Sequence, residues 1–180
     1  MSRRPWAGRS TMDDTHGLVA MARDVLDTVR YVVLGTVDED GRPRTSPVYF
    51  TPHRYEDLYW VSHPDTHHSA NLLRDDRLSG VVFDSTVVPG GAQRAVYVAG
   101  RAREVPAAEL DQHLPVAFDP ARGGRSFSRD ELTDPEDPLR LYVLHVDDWD
   151  VHVGAGHPTL GTGRDRRIPV DPRPPETIAG

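Results

Sequence analysis

The feature that most constrains this chain is a series of short apolar runs separated by turns between residues 31 and 105. Residues 31–37 read YVVLGTV, and the turn DEDG leads from this β-branched run into RTSPVYFT at 44–51. Strands joined by short turns, with few helices between them, predict an antiparallel barrel rather than a doubly wound parallel sheet. Three further runs have the length and composition of strands: 58–62, 78–84 and 95–105.

Helical patterns flank these strands. Apolar residues recur at helical spacing from Leu18 to Val29, which predicts an amphipathic helix over about 14–30 that covers one end of the barrel. Helix-start residues Pro64, Asp65 and Thr66 predict a second helix over 66–75. Pro106 predicts the start of a third helix that ends near residue 118.

The rest of the chain is less regular. Residues 119–138 contain Gly123, Gly124 and three prolines, which predicts a long mobile loop. Residues 139–146 and 149–153 predict the last strand or strand pair. We therefore expect a flexible arm over 1–13, one barrel domain over 14–154, and an irregular tail over 155–180 that is rich in Gly, Pro and Arg.

Composition excludes several classes of protein. The net charge of −7 disfavours a nucleic-acid surface, and the absence of cysteine removes disulfides, thiol nucleophiles and cysteine-bound metals. All 21 basic residues are arginine, so a Schiff-base lysine is excluded and an anion site must use guanidinium, imidazole, hydroxyl or backbone donors. No apolar run has the length of a membrane span or of a secretory signal, so we expect a cytoplasmic protein without membrane or nucleic-acid partners.

Two groups of polar residues predict an anion site. Arg44, Thr45 and Ser46 lie on one predicted strand, and Thr66, His68 and Ser69 lie at a predicted helix start. A phosphate group gains from a guanidinium fork, from hydroxyl donors and from the partial positive charge of a helix N-terminus. Each feature is weak alone, since Arg44 could be a surface residue and Thr66 a plain helix cap.

The order of these motifs resembles that of the pyridoxamine 5′-phosphate oxidase-like flavoproteins, which fold as FMN-binding split β-barrels. The resemblance covers residues 31–105. It rests on the Arg-Thr-Ser-Pro strand, on the strand segment Trp60-Val61-Ser62-His63, and on the segment that starts at Thr66 and continues through His68, Asn71 and Leu72.

The resemblance implies a mainly β fold (α+β), a six-stranded antiparallel split barrel with a few peripheral helices. It further implies an FMN-dependent oxidoreductase that acts on a small organic molecule. His68 replaces the more usual Lys, so the charge at the phosphate would depend on imidazole protonation, and contact with phosphate would raise the pKa of His68. No catalytic residue and no metal ligand is assigned. The residues that the resemblance assigns to the cofactor are Arg44, Thr45, Ser46, Pro47, Val48, Val61, Ser62, His63, Thr66, His67, His68, Asn71 and Arg94.

Two other ligands stay open. A deazaflavin coenzyme would suit a reductase of the same fold. Haem or flavin would suit a binding protein without turnover, and His145 or His157 would then be the axial ligand of a haem. The nine histidines do not have the spacing of a zinc site.

The resemblance also implies a homodimer with the cofactor at the interface between the chains. Arg94 and Tyr97 are the residues that we expect to reach across it. Alternate residues of 95–105, together with Tyr142, Leu144 and Val146, are the expected buried surfaces, because a split barrel leaves strand edges and an apolar face exposed.

Overall fold

A computed structural model of the protein describes residues 12–88, 91 and 93–175. Most of the predicted arm, 1–11, and part of the loop at 89–91 lie outside the described residues. None of the described helices is long and apolar enough to cross a membrane. The described helices are α1 (Met12–Thr28), α2 (His67–Arg74), α3 (Leu110–Ala117) and α4 (Arg129–Thr133), with a single 3₁₀ turn at Pro120–Arg122.

The strands form one antiparallel sheet in the order β2-β1-β5-β6-β7-β4-β3, with β8 paired to β7. The described residues contain eight strands where we expected six. Two short strands account for the difference. One arises because residue 50 interrupts the run expected over 44–51, and the other is formed by part of the tail. The strands are β1 (Tyr31–Val37), β2 (Pro43–Tyr49), β3 (Thr51–His53), β4 (Asp57–Ser62), β5 (Arg77–Phe83), β6 (Ala95–Glu104), β7 (Arg140–Val153) and β8 (Arg166–Val170).

Strand β7 explains why the barrel is split. Within this 14-residue strand, residues 142–151 pair with β6 along one edge, and a register shift falls between Ala99 and Gly100. A Cβ at Gly100 would lie 2.0 Å from the carbonyl oxygen of His145, so only glycine fits at this irregularity. The other edge of β7 pairs with β4 over its first half and with β8 over its second half. One long strand therefore serves both halves of the sheet, and the predicted split barrel is confirmed.

The main core lies inside the barrel. Alternate residues of β1 point inward, as expected for a half-buried strand, and Trp60 stacks on Tyr142 with ring centroids 5.6 Å apart. Helix α1 packs its apolar stripe against this core, with Ala22, Val25 and Leu26 fully buried. The amphipathic helix predicted over 14–30 is confirmed, with bounds shifted by two residues.

A second apolar cluster forms where α3 and α4 cover the outer face of β4 and β7. Leu110 and Leu132 pack there against Tyr59, Leu141 and Val143. The long mobile loop predicted over 119–138 is therefore corrected, because the segment contains the 3₁₀ turn and helix α4. Helix α4 starts with a capping box between Ser128 and Glu131, and Leu132 is 1% exposed.

Two further predictions need correction. The tail over 155–180 is not irregular throughout, because β8 pairs with β7 and buries Ile168 against the main core. The surface expected at a dimer interface is also wrong in part. Tyr142, Leu144 and Val146 are buried inside the barrel of their own chain, since they lie on the face of β7 that packs into the main core.

Candidate flavin site

The first part of the site is the start of α2, directly after β4. Thr66 has the extended backbone of a helix cap, and the first helical bond runs from the Ala70 N–H to the Thr66 carbonyl. The Thr66 hydroxyl does not cap the helix; it donates to the carbonyl of His63 at 3.0 Å. The backbone N–H groups of the first turn, at His67, His68 and Ser69, therefore have no acceptor within the helix.

Three hydroxyl groups and one imidazole lie beside these N–H groups. His68 Nε2 lies 3.0 Å from Ser62 Oγ and 3.3 Å from Thr66 Oγ1, and the Ser69 and Thr66 hydroxyls are 2.9 Å apart. We call this group, Ser62, Thr66, His68 and Ser69 with the first-turn N–H groups, the hydroxyl cradle. Its members stand within eight residues of one another, so the strand-to-helix connection alone brings them together.

His68 is buried at the start of α2. The residue is 6% exposed, and burial, followed by the neighbouring His67, lowers the pKa of its imidazole. The rise of the pKa that we expect on contact with a phosphate stays a prediction. A neutral imidazole within hydrogen-bond distance of two hydroxyls holds those hydroxyls in place. The positive end of the α2 dipole then supplies the potential that favours an anion in the cradle.

Arg44 is connected to α2 through the carboxylate of Asp38. Its Nε donates to Asp38 Oδ2 at 2.5 Å, and Asn71 Nδ2 donates to Asp38 Oδ1 and to Thr36 Oγ1, each at 3.0 Å. The Asn71 hydrogen bond first, and then Arg44, lower the pKa of Asp38. Arg44 is thus joined to α2 through a carboxylate, and Asp38 compensates much of its charge.

The other predicted residues are distributed over several surfaces. On β2, Ser46 and Val48 share the face of Arg44, because they pair with the inward residues of β1, whereas Thr45 and Pro47 point outward. At the start of α2, His67 is exposed and His63 accepts a hydrogen bond from the Asp65 N–H.

Arg94 is not part of the hydroxyl cradle of its own chain. Arg94 precedes the end of β6 that pairs with Phe83. Helix α2 lies towards the opposite end, where Arg101 pairs with Arg77. Arg94 forms an ion pair with Asp24 of α1 at 2.5 Å.

The second part of the site is a cavity of about 520 Å³ that begins at Val61, one residue before Ser62. Its size lies within the range of about 300–1,000 Å³ that is usual for small-molecule sites. We call it the aromatic cavity. Besides Val61, its walls include six aromatic residues: Tyr31, Tyr49, Tyr59, Trp60, Phe118 and Phe127.

Arg122 fastens one wall of the aromatic cavity to α1. It is 7% exposed and donates through Nη1 to the carbonyls of Leu26 and Asp27 and through Nη2 to that of Val29, at 2.7–2.9 Å. These carbonyls lie at the C-terminal end of α1, where the helix leaves its acceptors unpaired. The 119–125 segment is therefore held by contacts more than 90 residues away in sequence.

Comparison with known proteins decides the family. The family model for pyridoxamine 5′-phosphate oxidase matches residues 18–152. This chain belongs to that family. The match contains β1 to β6, α2 and nearly all of β7, and therefore both parts of the site. No curated protein matches the sequence.

Solved structures share the fold of this family member at low sequence identity. A haem-binding protein from Mycobacterium smegmatis aligns with a TM-score of 0.61 and 20% identity over 91% of this chain, which spans 60% of that protein. HutZ, a haem storage protein from Vibrio cholerae, aligns with a TM-score of 0.55 and 20% identity, over 72% of this chain and 90% of its own.

A Clostridium acetobutylicum protein of the pyridoxinephosphate oxidase family, related to general stress protein 26, aligns with a TM-score of 0.58 and 9% identity, over 86% of this chain and 95% of its own. At these identities the likeness concerns the fold.

The sequence pattern did not predict that residues 117–127 contribute to the site of this family member. One signal was present: Gly123 and Gly124 directly follow an arginine. A Cβ at Gly124 would lie 2.5 Å from the ring of Tyr49, so the glycine lets this segment approach the aromatic wall. Among the described residues, no group of three or more His, Asp or Glu side chains could hold a metal ion.

Proposed function

We propose that this chain is an FMN-dependent oxidoreductase that acts on a small organic molecule. The observation that carries the proposal is the hydroxyl cradle. It combines three backbone N–H groups at a helix start with the hydroxyls of Ser62, Thr66 and Ser69, next to an aromatic cavity.

The cradle fits the terminal phosphate of FMN. Helix N-termini bind phosphate because their N–H groups and the helix dipole both favour negative charge. Hydroxyls add adaptable donors, and a neutral His68 can donate through Nε2 without bringing a second buried charge. Arg44, which Asp38 already partners, would contribute at longer range.

The aromatic cavity lies next to the proposed flavin site, since Val61 of its lining directly precedes Ser62 of the cradle on β4. A bound flavin supplies two-electron redox chemistry, and the protein supplies binding, orientation and exclusion of water. The side chains of Val61 and Tyr59 face the outer side of β4, on which the cavity lies.

An absorption spectrum of the protein purified from its native host tests the cofactor. Flavin absorbs at about 450 nm and a deazaflavin at about 420 nm, whereas haem gives a Soret band. We expect the flavin spectrum, and release of FMN on denaturation. A bound deazaflavin or haem, or a chain that neither carries FMN nor binds it in a calorimetric titration, would overturn the assignment.

Haem is the second candidate, because His145 has the environment of a ligating histidine. Its Nδ1 lies 3.0 Å from Asp57 Oδ1, an arrangement that orients the ring and leaves Nε2 for a metal. Two solved structures of this fold are those of haem-binding or haem storage proteins. His145→Ala would abolish a Soret band if His145 is the axial ligand.

We also propose that two chains form a dimer. The outer face of β1 and β5 exposes large apolar side chains, among them Tyr31 at 59%, Val37 at 50% and Phe83 at 44%. Tyr97 on β6 shares this face because it pairs with Val81, and from there it and Arg94 would reach the cofactor of the partner chain.

Light scattering at micromolar concentration tests the dimer. The expected mass is about 40 kDa, twice the chain mass of 20.0 kDa. Phe83→Glu should give a monomer with less bound cofactor. Leu73→Glu, on an exposed position of α2, is the matched control and should leave the mass unchanged. A monomeric parent protein that holds one flavin per chain would exclude the interface site.

A further inference from the structure

The aromatic cavity is positively charged in a chain whose net charge is −7. Its lining contains three arginines, Arg30, Arg122 and Arg125, and no carboxylate. Arg125 is neutralised, since it forms an ion pair with Glu131 and lies over the ring of Phe127. Among the described residues, neither Arg30 nor Arg122 forms an ion pair with a carboxylate, although Arg122 lies over the ring of Phe50 at 5.0 Å.

The donors of these two arginines are incompletely used. Arg122 has given both terminal nitrogens to carbonyls of α1, but its buried Nε has no hydrogen-bond partner. Arg30 uses Nη1 for the carbonyl of Asp27 at 2.9 Å. A buried N–H without an acceptor is costly, and structures rarely leave one unless a ligand or water completes it.

The two guanidinium groups also repel each other. Burial first, and then the charge of Arg30, lower the pKa of Arg122. An anion bound beside them would offset this repulsion and accept the free donors of Arg30. The neighbouring walls supply flat aromatic faces, which favour a planar ring.

We propose that the aromatic cavity binds a planar aromatic carboxylate, which is the substrate of the flavin enzyme proposed above. A carboxylate has two oxygens, which the unused N–H groups of Arg30 can bind as a pair, while the charge of Arg122 adds favourable potential. A phosphate dianion has three oxygens and a larger charge, which these donors would leave partly unsatisfied. The role as substrate rests on the proposed function, whereas the binding of the carboxylate does not.

Calorimetric titration with three naphthalene probes tests the proposal on the unmodified full chain. The probes are 2-naphthoate, its neutral isostere 2-naphthamide, and 2-naphthyl phosphate. We expect 2-naphthoate to bind about tenfold or more tightly than 2-naphthamide, the scale of one charge-assisted hydrogen bond. Equal affinities, or no binding of the carboxylate, would overturn the proposal, and tighter binding of the phosphate ester would overturn the choice of carboxylate.

Two arginine variants locate the bound probe. Arg30→Gln should remove most of the preference for carboxylate over carboxamide. Arg125→Gln removes the same charge from the same cavity, but Glu131 already compensates Arg125, so the preference should stay within about twofold of the parent value. The same loss in both variants, or in neither, would place the probe elsewhere.

The same titrations with FMN separate this proposal from the proposed function. Preference for the carboxylate in a chain that does not bind FMN would overturn the redox function and leave the cavity proposal standing. FMN binding without that preference would overturn the cavity proposal and leave the redox function standing. If FMN expels 2-naphthoate one for one, the flavin ring fills the cavity and the substrate assignment is wrong.

Discussion

The hydroxyl cradle and the aromatic cavity both include residues of β4, yet the groups that would attract a negative charge differ between them. The cradle uses hydroxyls, backbone N–H groups and a neutral His68. The cavity uses guanidinium groups against aromatic walls. A helix start carries a fixed partial charge that needs no further ionised group. The lining of the cavity contains no first-turn residue of a described α-helix, so its positive potential comes from charged side chains.

The two regions also differ in what their arginines do. Arg44, near the cradle, is partly exposed and paired with Asp38. Arg122, at the cavity, is buried and holds three backbone carbonyls. We therefore expect Arg44 to affect ligand affinity and Arg122 to affect the stability of the fold, and the following substitutions test that division.

The largest effect is expected for Arg122→Met. The carbonyls of Leu26, Asp27 and Val29 lose their donors, and the end of α1 is no longer tied to the cavity wall. The free energy of unfolding should fall by about 3 kcal/mol, the scale of buried hydrogen bonds to a charged group. Denaturant unfolding with Arg125→Met as control measures it, and that exposed, ion-paired residue should cost no more than about 1 kcal/mol. Similar losses in both variants would contradict the anchoring role.

A smaller effect is expected for Arg44→Ala. FMN affinity should fall by about 1.5 kcal/mol, near the lower end for a lost charge-assisted interaction, because Asp38 already partners this guanidinium. The fold should be retained. Arg42→Ala, on the same hairpin and paired with Asp40, should bind FMN like the parent. If the two variants bind FMN equally in calorimetry, Arg44 has no part in the phosphate site.

The smallest effect concerns pH. The pKa of His68 is lower in the folded chain than the roughly 6.5 of an exposed imidazole, so the unfolded chain takes up a proton first as pH falls. His68 therefore contributes stability that is present above about pH 6.5 and is lost below it. In thermal melts from pH 5 to 8, His68→Gln should show a flatter acid limb than the parent.

His67→Gln, a change at the exposed neighbour, is the control for this experiment and should keep the acid limb. An identical limb in His68→Gln and the parent would mean that His68 does not titrate differently in the folded and unfolded chains. A neutral His68 should also leave FMN affinity without the decline at rising pH that a charged ligand would cause.

The sequence by itself determined the elements that local signals specify. The β-branched run of β1, the helical spacing in α1 and the helix-start residues before α2 act over a few neighbours, so their positions followed from the pattern. The cradle could be predicted for the same reason, since Ser62, Thr66, His68 and Ser69 lie within one strand-to-helix connection.

Only the tertiary structure decided the features that depend on distant contacts. Strand β8 has a short, polar sequence and becomes a strand because the second half of β7 offers it an unpaired edge. Arg122 acts as an anchor only once α1 presents its last carbonyls to it. The protonation of His68 likewise follows from its burial, because desolvation disfavours the charged imidazole, and burial is a property of the packed chain rather than of the residue.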